Sequence, residues 1–147
     1  MNICILIITG ILGATLTHFV SEYLRFGAVK ASALLSLIVG LFFYAFPNVL
    51  NGYLTEHLPI VFVGTSFIGM VSAKTLKSYT LLAIAGTLFT GIYITKSHVF
   101  DGYGGALGAL AFIALVTTMG FAFVVSNSNK IRRKIVLIWE TVFGSGD

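Results

Sequence analysis

Five long apolar segments, separated by short polar breaks, account for most of the chain. At a rise of about 1.5 Å per residue, a helix of roughly 20 residues matches the hydrocarbon core of a bilayer. We therefore predict an all-α fold, a polytopic transmembrane helix bundle, in which Pro47 kinks or ends the second span. The five predicted spans cover about residues 3–20, 31–50, 58–73, 79–95 and 104–125.

The composition points to lipid as part of the solvent. Of the 147 residues, 57% are hydrophobic and 10% are charged, whereas a soluble domain carries about 25% charged residues. A soluble domain of this length could not bury so much apolar surface in its own core. No repeat or long linker divides the chain, so we expect residues 1–147 to form a single transmembrane domain.

A basic, amphipathic segment follows the last predicted span. Polar side chains at 126–129 can cap a helix over about residues 130–143, which is too short and too basic to span a membrane. We predict that this helix lies in the headgroup region, and a soluble partner helix is the competing interpretation. Anionic lipid is a better match than nucleic acid for its predicted headgroup contacts, which are Lys130, Arg132, Arg133, Lys134 and Trp139.

The distribution of cations predicts the orientation of the spans. If the N-terminus faces outward, eight of the nine lysine and arginine residues lie in inner segments and only Lys96 lies outside. Cytoplasmic loops carry an excess of such residues. An even number of spans would remove this asymmetry, so the charges favour five. We expect a multi-pass protein of the plasma (inner) membrane with its C-terminus in the cytoplasm.

One row of span one combines small and ionisable residues. Gly10, Ala14, His18 and Glu22 follow at intervals of four, and Thr17 belongs to the neighbouring row. Ionisable groups at membrane depth are costly and usually face a bundle interior or water, which favours an ion path. In the alternative interpretation, Glu22 pairs with nearby Arg25 at the headgroup boundary, and His18 is a packing residue.

Span three is short and rich in small and hydroxyl residues. Its pathway candidates are Gly64, Thr65, Ser66, Gly69 and Ser72. Such a segment can unwind locally and expose carbonyl groups to an ion. The alternative is close helix packing, because small residues let backbones approach and hydroxyls bond back to the preceding turn.

Small residues on other spans predict helix packing rather than sites. The packing candidates are Gly10, Ala14, Gly86, Gly91, Gly104 and Gly108. The outer loop holds His98 and Asp101, too few ligands for a metal site. The sequence contains no nucleotide-binding or zinc-protease motif, and Cys4 has no partner cysteine. We therefore expect no enzymatic activity, no metal and no cofactor.

Two functions fit these patterns. The first is an oligomeric channel or transporter subunit for an ion or small solute, in which span three and the His18/Glu22 row line a path between the subunits of a homo-oligomer. The alternative is a non-catalytic structural or assembly subunit of a larger membrane complex, with small-residue faces docking on partner helices.

Overall fold

The fold is all-helical in the part of the chain that the computed structural model describes, which is residues 2–25, 27–71, 78–96 and 104–127. The predicted helix at 130–143, its headgroup residues and Ser72 lie outside these ranges. Five helices form: α1 (Asn2–Tyr23), α2 (Ala28–Ala45), α3 (Gly52–Gly69), α4 (Tyr79–Lys96) and α5 (Gly104–Ser126).

Three of the five helices are long and apolar enough to cross a membrane. These are α1, α2 and the Gly105–Ser126 portion of α5, and Tyr79–Thr95 of α4 is a shorter apolar helix. Apolar helices of this length are typical of membrane proteins and indicate a membrane location.

The two helix boundaries that differ most from the predicted spans are the end of α2 and the start of α3. α2 ends at Ala45, before Pro47, because a residue that precedes proline avoids the helical conformation; Phe46 accordingly has φ −126° and ψ 65°. α3 begins at Gly52, not at residue 58, and the Thr55 amide donates to the Asn51 carbonyl at 3.0 Å. Residues 51–57, which the predicted spans leave between spans two and three, are therefore mostly the first turns of α3.

Helices that contact one another run either parallel or antiparallel, and the contacts at their ends show which. His18, near the end of α1, contacts Tyr79 at the start of α4 and Val71 just beyond the end of α3. α1 is therefore parallel to α3 and antiparallel to α4. Ser32, near the start of α2, bonds to Ser66 near the end of α3, so α2 is antiparallel to α3.

The core lies where α1, α3 and α4 meet. These three helices contact one another, α2 packs on α1 and α3, and α5 packs on α3 and α4. Fully buried apolar side chains come from all three central helices and include Leu6, Val61, Leu82 and Phe89. The outer helices expose large apolar side chains such as Phe42 of α2 and Phe112 and Phe121 of α5.

Candidate functional site

His18 is the buried ionisable residue at one end of the bundle. It is 3% exposed, and its Nδ1 lies 3.0 Å from the carbonyl oxygen of Val71. Because a carbonyl only accepts hydrogen bonds, Nδ1 is the donor, and in the neutral ring Nε2 is left as an acceptor. The ring of Tyr79 packs edge-on against the imidazole at 5.6 Å. His18 thus links α1 to the end of α3 and the start of α4.

Thr17 carries a buried hydroxyl with no hydrogen-bond partner among the described residues. Its side chain packs on Gly69, where an added β-carbon would lie 2.7 Å from the Thr17 Cβ. Several other helical threonines donate to the carbonyl four residues earlier, as Thr65 does to Val61 and Thr90 to Gly86. Burying a hydroxyl without a hydrogen bond is unfavourable. Thr17 differs from these threonines in carrying such a hydroxyl.

Three serines form a hydroxyl cluster between α2 and α3. The Ser66 Oγ lies 2.7 Å from Ser32 Oγ and 3.3 Å from Ser36 Oγ. Ser66 also donates to the carbonyl of Val63 at 2.7 Å. Ser66 is fully buried and Ser32 nearly so, whereas Ser36 is half-buried. The cluster stabilises the packing of α2 on α3, because hydrogen bonds between hydroxyls hold helices together in an apolar environment.

Thr65 belongs to a different contact from its neighbour Ser66. A β-carbon added to Gly13 of α1 would collide with the Thr65 side chain, so Thr65 packs into the space left by that glycine. Its hydroxyl donates to the carbonyl of Val61 at 2.8 Å. Thr65 therefore faces α1, while Ser66 faces α2.

The described pathway candidates are divided among separate helix contacts. Thr17 and Gly69 meet where α1 packs on α3, and His18 lies one residue further along α1. Glu22, one turn beyond His18, is exposed at the end of α1. Thr65 and Ser66 pack against two different helices. The structure therefore brings Thr17, His18 and Gly69 together and leaves Ser66 in the serine cluster.

A second histidine cluster lies at the opposite end of the bundle. His57 Nδ1 is 2.9 Å from the hydroxyl of buried Tyr93, and the ring of Tyr53 lies 4.3 Å from the imidazole. Tyr93 in turn stacks on Phe89, which fills the space beside Gly64. Sequence reasoning missed this cluster because His57 lies just before the predicted third span and because 36 residues separate it from Tyr93.

The packing candidates fall into two groups. Gly10 and Gly86 contact each other directly between α1 and α4, and Ala14 is fully buried with its carbonyl against Gly69. Gly91 and Gly108 have open space where a side chain would be. Gly104 is the first residue of α5.

An outward row of small residues follows α4. Its members lie four residues apart and are half-buried or exposed: Ala83, Thr87, Gly91 and Thr95. Thr87 donates to the carbonyl of Ala83 and Thr95 to that of Gly91, each at 2.9 Å. With their hydroxyls bonded to their own helix, both threonines resemble small apolar residues, and we call these four residues the outward row.

An apolar groove of about 540 Å³ lies between α4 and α5. Leu81, Ile84 and Leu88 form one wall, and Phe121, Ala122 and Val125 form the other. The groove joins the first half of α4 to the second half of α5, so these helices are antiparallel. Its lining is almost wholly apolar.

The described residues contain no group of three or more histidine, cysteine, aspartate or glutamate side chains that could hold a metal ion. No protein-family model, curated protein or solved structure matches the chain. The fold by itself defines an all-helical protein with three helices long and apolar enough to cross a membrane.

Proposed function

We propose that all five helices cross the plasma (inner) membrane, with the N-terminus outside and residues 130–143 on the cytoplasmic surface. The alternating directions of the helices support this arrangement, as does the excess of cations on one side. By sequence, α3 carries the polar residues Glu56 and His57 near its start, but among the described helices it is the only one that contacts all four others. A helix enclosed in this way can carry polar side chains within a bilayer.

We infer that the protein is a non-catalytic structural or assembly subunit that binds other membrane helices through the outward row of α4. One observation carries this proposal: α4 has two rows of small residues on different sides, and among the described residues only the row of Gly86 and Thr90 is in close contact with another helix. Gly86 and Thr90 pack on Gly10 of α1. Thr87 and Gly91 lie one residue further along and are exposed.

Both rows of α4 consist of small residues and threonines, so both suit close packing against another helix. Membrane helices associate through small residues that let their backbones approach closely, because lipid supplies no hydrophobic driving force between them. Inside the chain, the glycine and threonine of one row admit α1 to within van der Waals contact of α4. The outward row offers a second helix the same kind of surface. We propose a second copy of this chain or another membrane subunit as its occupant.

The test uses the full chain carrying Gly91→Leu, purified in mild detergent from its own host membrane. Blue-native electrophoresis with mass spectrometry of each band is expected to show wild-type protein in a complex larger than one chain, and the variant released from it. Gly120→Leu is the matched control, because Gly120 of α5 is also exposed with open space around it but lies outside the outward row. Unchanged complexes in Gly91→Leu would refute the proposal.

A second candidate, a channel or transporter for an ion or small solute, rests on Thr17. This hydroxyl is fully buried without a described partner, and the next residue in α1 is His18, whose neutral ring leaves Nε2 as an acceptor. Intramembrane polar groups of this kind line ion and proton pathways in other proteins. Liposomes containing the protein should then pass protons, alkali cations or halides, and Thr17→Val should lower the flux while Thr17→Ser retains it. Absence of any flux from the wild-type protein would remove this candidate.

A further inference from the structure

We propose that α2 is a gate helix: its start swings away from α3 and back, and the connection between α2 and α3 is the pivot. The structure shows α2 in the docked position. The inference requires that α2 faces lipid, which its length and apolar composition indicate. Three features of α2 support it: how little of the helix is buried, the kind of bond that holds it, and the difference between its two connections.

Few side chains of α2 are buried. The buried residues are Ala31 and Ser32, and both lie near the start of the helix. Large apolar side chains such as Leu37 and Leu41 are more than half exposed, so they contact lipid whether α2 is docked or released. A β-carbon added to Gly40 would meet no atom within 4 Å. Membrane helices associate through close packing, and α2 has little of it beyond the serine cluster.

The hydroxyl bonds that hold α2 can be exchanged without leaving an unpaired hydroxyl. Ser66 donates its single proton to the Val63 carbonyl, so the bonds at 2.7 and 3.3 Å use the protons of Ser32 and Ser36. In a released helix, both serines can donate instead to a carbonyl three or four residues earlier in α2. Ser66 keeps its bond to Val63. Release into an apolar environment therefore leaves no hydroxyl without a partner.

The two connections of α2 are held differently. After α2, the Thr55 hydroxyl donates to the carbonyl oxygens of Pro47 and Leu50, at 3.2 and 3.3 Å, which ties this connection to the start of α3. Before α2, Arg25 has φ 52° and Gly27 has φ 86°. A left-handed conformation is unfavourable for a residue with a side chain, and movement of α2 can relax it at Arg25. The geometry therefore places the pivot at the end of α2 and the release at its start.

Release of α2 changes the surface that α3 presents to the bilayer. Ser66 is fully buried while α2 is docked. When the start of α2 moves away, the side of α3 that carries Ser66 opens laterally. A hydroxyl in this position can form hydrogen bonds across helices. The position of α2 thus controls access to a polar group of the central helix.

Pulsed electron paramagnetic resonance of the full chain in lipid nanodiscs measures the movement. In a Cys4→Ala background, spin labels at Val29→Cys and Val124→Cys report the distance between the start of α2 and the end of α5. Both positions are exposed and lie at the same end of the bundle. We expect two distances for this pair. A matched pair at Tyr44→Cys and Ala109→Cys, exposed positions at the pivot end, should give one distance.

The same label pair tests the role of the serine cluster. Ser66→Ala removes the acceptor that Ser32 and Ser36 share, and it should raise the ratio of released to docked protein about fivefold, equivalent to about 1 kcal/mol. Ser36→Ala removes only the longer bond and should give a smaller rise, so it replaces Ser66→Ala if that variant does not fold. Gly86→Ala is the control, because its added methyl group meets α1, and it should leave the ratio unchanged.

Two results would overturn the proposal. The first is a single distance between the start of α2 and the end of α5 in the otherwise wild-type protein and in both serine variants. The second is an equal rise in Gly86→Ala and Ser66→Ala, which would indicate general loosening of the bundle rather than release of α2.

The movement of α2 can fail or succeed independently of the proposed function. Gly91→Leu tests assembly through α4, and α4 does not contact α2 in the described part of the chain. Reporter fusions at both termini test the orientation of the chain, on which the movement of α2 does not depend.

Discussion

Gly86 of α4 lies against the backbone of Gly10 in α1, so that a β-carbon added to Gly86 would be 2.6 Å from the Gly10 carbonyl oxygen. The converse is also true, because a β-carbon on Gly10 would be 2.9 Å from the Gly86 carbonyl and would collide with Thr90. The two backbones therefore cross without an intervening side chain. Dispersion contacts between close backbones stabilise helix pairs in membranes.

Gly86→Ala should destabilise the protein even though alanine favours helices. The added methyl group meets backbone atoms, which cannot rotate away, so the helices must separate. Overpacking of this kind costs about 1–3 kcal/mol. Thermal unfolding in detergent measures the effect. Gly91→Ala is the control, since open space surrounds Gly91 on the same helix, and it should be neutral or slightly stabilising. Equal losses in both variants would contradict the crossing geometry.

Gly64 and Phe89 form a second contact that can be tested as a pair. The Phe89 ring fills the space over Gly64, and a β-carbon there would collide with the ring tip. Gly64→Ala should therefore lower stability, and Phe89→Leu should cost about 1 kcal/mol through lost packing. The double variant is expected to be more stable than the sum of the two losses predicts, because leucine does not reach the position of the ring tip. Strict additivity in a double-mutant cycle would contradict this contact.

The extent of the helices could be predicted because length and hydropathy are local properties. The start of α3 could not, because Glu56 and His57 lie before the third apolar segment, whose predicted span begins at residue 58. Polar residues are compatible with a helix whose first turns lie outside the apolar segment, and Glu56 is exposed in the structure. The end of α2 near Pro47 followed from the restriction that proline places on the residue before it.

The side of each helix that meets its neighbours was harder to predict. These helices are apolar on all sides, so no polar face reveals which side is buried. Gly86 and Gly91 both fitted a packing role by composition. Five residues at about 100° per residue place them about 140° apart around the helix axis, so one neighbour could not contact both. The structure shows Gly86 against α1 and Gly91 exposed.

The residues of the candidate site could be named from the sequence, but most of their contacts could not. Spacing along α1 placed Ala14 and His18 on one face, and both lie against the end of α3. The partners of Ser66, in contrast, are Ser32 and Ser36 of α2, a helix for which the sequence predicted no site residue. Contacts between residues 30 or more positions apart depend on how the helices rotate and pack, and one sequence does not report this.

Ser66 should contribute more to stability than the other members of the serine cluster. Ser66→Ala removes the shared partner and leaves the Ser32 hydroxyl, which is nearly fully buried, without its 2.7 Å bond. We expect a loss of about 1–2 kcal/mol in thermal or detergent unfolding. Ser36→Ala should cost less, because its bond is longer at 3.3 Å and the residue is half-buried. The interpretation fails if Ser36→Ala is the more damaging variant.

Thr17→Val should stabilise the protein, in contrast to the other predicted core substitutions. Valine has nearly the shape of threonine, and the substitution removes a fully buried hydroxyl for which the described residues offer no partner. An unsatisfied buried group costs about 1–3 kcal/mol, so unfolding should shift to higher temperature. Thr90→Val is the matched control: Thr90 is equally buried, but its hydroxyl donates to the Gly86 carbonyl at 2.9 Å, and valine there should give no gain.

The same variant separates the two candidate functions. If Thr17→Val is more stable and leaves the assembly of the protein intact, its hydroxyl has no structural role, and a simultaneous loss of ion flux would assign it to transport. If stability rises with no flux in either protein, the structural or assembly function stands. A loss of stability in Thr17→Val would contradict the prediction, because it would mean that the Thr17 hydroxyl has a partner in the folded chain.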